Sequence, residues 1–318
     1  MKTMMPMIPR GYRMRFLVAW VCVFSACRAG DLGPETSQDG PDDVPDGQGD
    51  GAAQCVPATC AEQGASCGTI DDGCGATLAC GTCTAPETCG GGRVANECGC
   101  PGAVVEGDVS VTDAASLDAL VCTVEITGSL HFHQTCGIDE VVLPRLERIG
   151  GALYFHQTGV QQIDLPALTS VGQYLYFHQN AALAGVGLPS LESVGQYLYL
   201  YGNCALSVLD LESLVSVGDY FYVDLVAALP SLSAPALTSV GGYFYVSRCC
   251  ALADLDFPQL TTVGGSYVYV ATNPSLPQAE ADALGTQLLD ADYGGSLYLS
   301  GNGSGSCSLC EAPACDGP

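Results

Sequence analysis

The sequence predicts a mainly β protein whose larger part is a parallel β-solenoid of about eight coils, preceded by a small disulfide-rich module. Two features predict the solenoid: glycines recur at a fixed interval, and a short aromatic run with alternating side chains follows each of them. A third feature, a cluster of cysteines ahead of the repeats, predicts the module. A repeat of this length is typical of solenoids, in which each coil buries its apolar face only against its neighbours.

The first 26 residues have the composition of a signal peptide. One lysine and three arginines precede an apolar run at 16–26, which is too short to span a bilayer as a helix. Residues 24–27, Phe-Ser-Ala-Cys, resemble the lipobox of bacterial lipoproteins, which predicts acylation of Cys27; an ordinary signal peptide is the alternative. Arg28 stands where Asp would favour inner-membrane retention, so we expect an outer-membrane or cell-surface protein, otherwise a secreted one.

The composition excludes several kinds of partner and chemistry. The formal net charge is −25, and beyond residue 26 the chain has five arginines and no lysine. Nucleic acid and anionic lipid surfaces would repel such a chain, so we expect membrane contact through the lipid anchor only. The lack of lysine also excludes Schiff-base catalysis and a phosphate-binding lysine. We expect no cofactor.

Residues 27–54 are predicted to be the lipid attachment site and an acidic disordered linker, because they are rich in Asp, Gly and Pro and cannot form a core. Residues 55–100 are predicted to be a cysteine-rich disulfide module that is too small for a hydrophobic core. Its first eight cysteines would form four disulfides, with the pairing left open. These are Cys55, Cys60, Cys67, Cys74, Cys80, Cys83, Cys89 and Cys98. Half a zinc site at Cys80 and Cys83 is an alternative, and the module's role is open between carbohydrate binding and a passive spacer.

The solenoid is predicted for residues 101–306. Its glycines lie 22 or 23 residues apart, and before most of them stands a version of Leu-Pro-x-Leu-x-x-Val. Side chains of the aromatic runs must alternate between the two faces of a strand. Two columns stay apolar down the coils and are predicted to face the core: Leu130, Leu153, Leu175, Leu198, Phe221, Phe244, Val268 and Leu297, and Phe132, Phe155, Phe177, Leu200, Val223, Val246, Val270 and Leu299.

Both ends of the solenoid depart from the period. Helices are predicted over Asp113 to Leu120 and over Pro274 to Asp290, the second one before a last strand at Ser296 to Ser300. Atypical terminal units of this kind cap the exposed core of a solenoid. A disulfide between Cys100 and Cys122 is predicted to close the first coil, and residues 307–318 form a cysteine-containing tail.

The start of the solenoid resembles the receptor L domain, the leucine-rich-repeat-like β-helix of insulin- and epidermal-growth-factor-type receptors. The resemblance rests on residues 120–130, Leu-Val-Cys-Thr-Val-Glu-Ile-Thr-Gly-Ser-Leu, and on the LPxLxxVG coils that follow, and it covers about residues 107 to 302. It implies a right-handed β-helix and a ligand-binding or adhesive module whose exposed parallel sheet is the contact surface. The tyrosine-rich strands depart from the receptors, so the receptors' ligands are not carried over.

The outward strand positions form three columns, which together hold thirteen of the fifteen tyrosines and all four histidines. The first column is Tyr174, Tyr197, Tyr220, Tyr243 and Tyr267. The second column is His131, Tyr154, Tyr176, Tyr199, Tyr222, Tyr245, Tyr269 and Tyr298. The third column is His133, His156, His178, Tyr201, Asp224, Ser247, Ala271 and Ser300. We call this surface the aromatic face.

A contiguous exposed aromatic surface is typical of an interaction site, because tyrosine offers an apolar ring and a hydroxyl. We therefore predict a cell-surface ligand-binding or adhesion protein whose partner is a protein or a glycan. The ligand-binding candidates are Tyr154, Tyr174, Tyr176, Tyr197, Tyr199, Tyr201, Tyr220, Tyr222, Tyr243 and Tyr245, with His156 and His178. The alternative is a structural envelope lipoprotein, in which the tyrosines only stabilise the sheet.

A second alternative is an extracellular metal-binding protein that uses His133, His156 and His178, although the sequence offers no clear third and fourth ligands. No catalytic constellation is visible. The aromatic face carries one carboxylate, Asp224, and the histidines have no nucleophile with an orienting acid beside them. We therefore predict that the protein is not an enzyme.

Overall fold

The computed structural model of the protein describes residues 55–306 and residue 310. These residues are mainly β and form a parallel β-solenoid of about seven turns, with few helices and with several disulfides in the N-terminal region. The predicted fold class is therefore confirmed. The predicted signal peptide, the acylation site at Cys27, the acidic linker and most of the tail at 307–318 lie outside the described residues.

One parallel sheet of nine strands, the principal sheet, runs along one side of the solenoid. Successive coils pair in strict register, so that Tyr154 lies beside Tyr176 and Tyr176 beside Tyr199. This register places equivalent residues of every coil in columns, as the repeat predicts. The strands are Val109–Val111, Leu130–His133, Leu153–His156, Leu175–His178, Leu198–Tyr201, Phe221–Asp224, Phe244–Ser247, Tyr267–Ala271 and Ser296–Tyr298.

Short strands form the other sides of each coil. An eight-stranded sheet consists of Ala103–Val105, Thr123–Ile126, Arg148–Ile149, Ser170–Val171, Ser193–Val194, Ser216–Val217, Ser239–Val240 and Thr262–Val263. A third side consists of Glu140–Val142, Gln162–Asp164, Gly185–Gly187 and Val208–Asp210, and of the separate pair Ser231–Ser233 and Asp254–Asp256. All of these strands pair in parallel with the equivalent strands of neighbouring coils.

The core lies inside the coils and consists of the two predicted apolar columns with the leucines and valines of the shorter sides. Side chains such as Leu153, Phe155 and Phe177 are fully buried, and each contributes roughly 1.5–3 kcal/mol to stability. Leu297 and Leu299 of the last coil are only half-buried and pack against the edge of this core. The predicted inward columns are therefore confirmed.

The repeating glycines line one corner of the solenoid, just ahead of the principal sheet. They stack directly on one another: Gly150, Gly172, Gly195, Gly218, Gly241 and Gly264. A Cβ atom on Gly172 or on any later member would lie under 3.0 Å from the carbonyl oxygen of the glycine in the preceding coil. Glycine is therefore required at this corner, because the coils approach one another there through their backbones.

A buried ladder of asparagines follows the principal sheet, and the sequence did not single it out. Asn180 Nδ2 donates to the carbonyl oxygen of Phe155 and to Asn203 Oδ1, and Asn203 Nδ2 donates to the carbonyl oxygen of Phe177. Asn273 and Asn302 repeat the pattern near the other end. These side chains satisfy backbone groups that the turn would otherwise leave buried without partners.

Both ends are capped by a helix, and each helix is shorter than predicted. The first, α1, spans Ala114–Asp118, and Asp113 is its N-cap, accepting a hydrogen bond from the Ser116 backbone N–H. The second, α2, spans Gln278–Asp290 and buries Leu284 and Leu288. It begins four residues later than predicted. The buried Asn273 belongs to the ladder, and Pro277 disfavours the helical conformation at the residue before it.

The eight cysteines of the module form four disulfides, as predicted, with the pairs Cys55–Cys74, Cys60–Cys80, Cys67–Cys89 and Cys83–Cys98. Because Cys80 and Cys83 are both bonded, neither is free to bind zinc. The predicted Cys100–Cys122 disulfide is also confirmed. A further disulfide joins Cys204 to Cys310, and Cys136 and Cys250 are disulfide-bonded as well.

Candidate functional site

The first and second columns of the aromatic face are continuous stacks of rings. Neighbouring tyrosines of the first column have ring centroids 4.6–5.0 Å apart and planes within 15° of parallel. From Tyr154 to Tyr269 the second column is just as regular, at 4.6–4.9 Å and within 10°. The strand spacing imposes this geometry, because it equals the distance at which two rings stack.

Stacking changes what the aromatic face offers to a partner. Each ring covers the faces of its two neighbours, and all tyrosines of the two columns except Tyr298 are half-buried. A partner therefore meets ring edges and phenolic hydroxyls, repeated once per strand along the sheet. The described structure brings all ten candidate tyrosines together on one surface, as predicted, but presents them as rows of hydroxyls rather than as open ring faces.

Several phenols in the middle of these columns are held in their protonated form. Burial, and then the neighbouring tyrosines, raise the pKa of Tyr154, Tyr176 and Tyr197 above the ordinary value of 10.0. The same causes raise the pKa of Tyr199 to about 12. At neutral pH these four hydroxyls can therefore both donate and accept a hydrogen bond, which suits partners rich in hydroxyls, amides or carbonyl groups.

The third column begins as a stack of imidazoles. His133, His156 and His178 have ring centroids 5.0 Å apart, and Tyr201 continues the stack at 5.3 Å. The Nδ1 atoms of His133 and His156 are 3.1 Å apart, so one of them donates a hydrogen bond to the other. Nδ1 of His178 is buried and makes no hydrogen bond. Burial, and then the preceding histidine, lower the pKa of His156 and of His178.

These three histidines do not converge on a common position that a metal ion could occupy. Among residues 55–306 and 310, the one group of three or more potential ligand atoms lying within 4.8 Å of one another is Cys67, Cys83 and Cys89, and all three are in disulfides. The imidazoles lie in a row that runs from strand to strand across the principal sheet. The metal-binding alternative therefore stays a prediction that the ligand geometry does not support.

Beyond Tyr201, the third column contains an ion pair with a buried carboxylate, which the sequence does not identify. Asp224 is fully buried and accepts hydrogen bonds from the Tyr222 hydroxyl at 2.8 Å, from Arg248 Nε at 2.8 Å and from Arg248 Nη2. The hydrogen bonds to this carboxylate raise the pKa of Arg248. The network fixes the Tyr222 hydroxyl. Its O–H group already donates to Asp224 and is therefore not available to donate to a partner.

Asp224 was recognised as the only carboxylate of its column, but its partner was missed. Arg248 follows the next strand directly, in the turn position that has a positive φ in every coil from Gln134 to Thr272, 53° at Arg248 itself. A residue there can reach back to the strand end of the preceding coil. Aligning the turn positions as well as the strand positions would have revealed the pair.

In the described part of the chain, the ring contacts of the histidines are with one another and with tyrosines. An activated nucleophile would need a base oriented by a carboxylate, and Asp224, the carboxylate of this face, is held by Arg248 instead. That the protein is not an enzyme stays a prediction. Comparison with family models, with curated proteins and with solved structures finds no match to this chain. The resemblance to the receptor L domain therefore also stays a prediction.

The histidine row should make the fold sensitive to mild acid. The pKa of His156 and that of His178 are lower in the folded chain than the ordinary 6.5, so the unfolded chain binds more protons as the pH falls below that value. We expect stability to be highest above about pH 6.5 and to decrease as the pH drops through the histidine range. Urea unfolding at about pH 7.5 and about pH 5.5 measures this, because carboxylates titrate mainly below that interval.

The double variant His156→Gln, His178→Gln is the control for this prediction. It removes the two groups whose pKa is lowered, so most of the difference in stability between the two pH values should disappear. An unchanged stability of the unsubstituted protein across the interval would contradict the prediction.

Proposed function

We propose that this protein is an exported, lipid-anchored cell-surface protein that binds a protein or glycan ligand through the aromatic face, as a receptor or an adhesin. The observation that supports this best is the array of protonated tyrosine hydroxyls, aligned in two columns and repeated along the principal sheet. Tyrosine in such an array is held rigid by stacking, so little side-chain entropy is lost when a ligand binds.

The position of the array also supports binding. The second column lies on regular strands, and the first column up to Tyr243 lies on the residue directly before each strand, which keeps the hydroxyls at fixed spacings of one strand. A partner with a periodic display of hydrogen-bonding groups can therefore engage several coils at once, and the contacts add along the sheet. The resemblance to the receptor L domain implies the same contact surface.

The disulfides of the described residues are consistent with an exported or extracellular protein, because such bonds persist in oxidising compartments. Among the described residues, no helix is both long and apolar enough to cross a bilayer. Attachment through an acylated Cys27 is part of the proposal, and so is the outer-membrane location.

The second candidate function is that of a structural envelope lipoprotein without a specific ligand. The stacking itself favours it, since parallel rings 4.6–5.0 Å apart stabilise adjacent strands and would account for the tyrosines without any ligand. The two proposals differ in what substitution of the tyrosines removes: ligand binding in the first, stability alone in the second.

A binding screen of the purified protein against glycan arrays and cell-envelope extracts separates the two. The variant for comparison replaces Tyr176, Tyr197 and Tyr199 by serine, which removes neighbouring hydroxyls of two columns while leaving the Tyr222–Asp224 hydrogen bond in place. We expect a ligand that the unsubstituted protein retains and that this variant loses.

The matched control replaces Glu140, Gln162 and Asp164, three exposed residues on another side of the coils, by serine. It should retain the ligand. If both triple variants bind every retained component as well as the unsubstituted protein does, the aromatic face is not the contact surface, and the structural proposal becomes the better one.

A further inference from the structure

A second aromatic site lies at the C-terminal end of the aromatic face, and we call it the terminal cleft. It is an open cleft of about 360 Å³ lined by Tyr245, Tyr267, Tyr269 and Tyr298. Three of these four residues were not among the predicted ligand-binding tyrosines. The site differs from the rest of the face in its ring geometry and exposure, and in the acidic composition of the segment that supplies it.

The regular stacking ends at this cleft. The first column stops at Tyr267, because the residue beside it in the last strand is Ser296, which has no ring to cover the tyrosine. Tyr298 turns away from the stack: its plane is 72° from that of Tyr267 and 38° from that of Tyr269, with centroids 6.4 and 6.1 Å away. The rings therefore line the open cleft with different orientations, and Tyr298 is 53% exposed.

The segment that supplies three of the four lining tyrosines has an acidic composition. Residues 249–306, which form the last coils and α2, contain six carboxylates and no lysine, arginine or histidine. The carboxylates are Asp254, Asp256, Glu280, Asp282, Asp290 and Asp292. The cation that precedes this segment, Arg248, is paired with the buried Asp224. The negative net charge of this segment therefore favours cations over anions.

An aromatic cleft supplied largely by a negatively charged segment suits a positively charged organic group. The face of a tyrosine ring carries negative charge density and attracts an ammonium group held within about 6 Å of its centre, and cages of several rings recognise quaternary ammonium groups. A metal ion is a poorer fit, because the lining offers phenols rather than carboxylates or imidazoles. A neutral apolar group would gain no electrostatic attraction from the negative charge of this segment.

We propose that the terminal cleft binds an alkylammonium cation, such as a trimethylammonium group. The ligand is held by the faces of Tyr267 and Tyr298, and the negative net charge of residues 249–306 raises its local concentration. This proposal does not depend on ligand binding by the hydroxyl rows of the aromatic face, since it uses ring faces that are available only where the stack ends.

A titration of the purified protein with two ligands of the same shape tests the proposal. Choline carries a trimethylammonium group, and 3,3-dimethylbutan-1-ol is its neutral counterpart. Calorimetry should show saturable binding of choline and binding of the neutral alcohol that is weaker by about tenfold, the factor expected when a cation faces more than one ring. Added salt should weaken the binding of choline more than that of the alcohol.

Variants locate the site. Tyr298→Leu removes an exposed ring at the edge of the solenoid and should abolish choline binding without unfolding the protein. Tyr267→Phe keeps an aromatic face and should retain most of the binding. The matched control is Tyr174→Leu, which removes the first ring of the same column at the opposite end, and it should bind choline normally.

Several results would overturn the proposal. Equal binding of choline and the neutral alcohol would show an apolar cleft without charge recognition. Tighter binding of a neutral methyl glycoside than of choline would assign the cleft to glycans. Choline binding that survives Tyr298→Leu would place the site elsewhere, and the absence of saturable binding would exclude an ammonium site. None of these results bears on the hydroxyl rows, whose test is the serine variant described above.

Discussion

Replacement of Gly218 by alanine is expected to destabilise the solenoid by about 3 kcal/mol, at the upper end of what overpacking usually costs. The new Cβ would lie under 3.0 Å from the carbonyl oxygen and carbonyl carbon of Gly195. Both atoms belong to the backbone of the preceding coil, which is itself hydrogen-bonded to its neighbours. The contact can therefore be relieved only by separating the coils, and that would disturb the principal sheet on the adjoining side. Urea unfolding measures the loss.

Gly137→Ala is the matched control for Gly218→Ala. A Cβ at Gly137 meets no atom within 4 Å, and the backbone there is not in the left-handed region. We expect its stability to stay within about 0.5 kcal/mol of that of the unsubstituted protein, as for most surface substitutions. Equal stabilities of the two alanine variants would show that the coils do not approach as closely as the stacked glycines indicate.

Replacement of Arg248 by methionine is the second substitution from which we expect a large effect. It leaves the fully buried Asp224 carboxylate with the Tyr222 hydroxyl as its remaining side-chain hydrogen-bond donor. Removal of one partner from a buried ion pair typically costs about 3–5 kcal/mol, and the partial exposure of Arg248 places our expectation near about 3 kcal/mol. Thermal and urea unfolding at neutral pH measure this loss.

The rescue variant combines Arg248→Met with Asp224→Asn. The amide has no charge to leave unpaired and can still hydrogen-bond to Tyr222, so we expect most of the lost stability to return. A double variant that is no more stable than Arg248→Met alone would mean that the arginine stabilises the turn through packing rather than through the ion pair.

The architecture could be predicted from the sequence because two periods coincide in it. The interval between glycines sets the coil, and the alternation within each aromatic run assigns every side chain to one face. Together they place Tyr176 beside Tyr199 and Phe177 in the core before any coordinates are known. The helices were predicted less well at their ends, because caps and prolines decide where a short helix begins.

The chemistry of the aromatic face was harder to predict. A column of tyrosines can present open ring faces or closed stacks, and the choice depends on side-chain rotation, which a repeat does not encode. The ladder of asparagines and the Arg248–Asp224 pair join residues of different coils through turn positions, where the repeat is least uniform. The disulfide pairings depend on distances in the folded module, which has no repeat at all.

The same limit explains why the terminal cleft was missed. In the sequence, Tyr267, Tyr269 and Tyr298 continue the columns of the preceding coils. The repeat is interrupted by α2 before the last strand. In that strand the residue beside Tyr267 is Ser296, so the stack ends there. An interruption of the repeat is therefore a signal for a site that differs from the rest of the surface.

The measurement that most directly tests the central claim compares the unsubstituted protein with a variant in which Tyr176, Tyr197 and Tyr199 are phenylalanine. Phenylalanine keeps the stack and removes the hydroxyls, so stability and binding can be separated on one variant. For the ligand retained in the screen, we predict an unfolding midpoint close to that of the unsubstituted protein and an affinity reduced by at least about tenfold, since each lost hydrogen bond contributes roughly 0.5–1.5 kcal/mol. Unchanged affinity would contradict ligand recognition through the tyrosine hydroxyls and leave the tyrosines as stabilisers of the sheet.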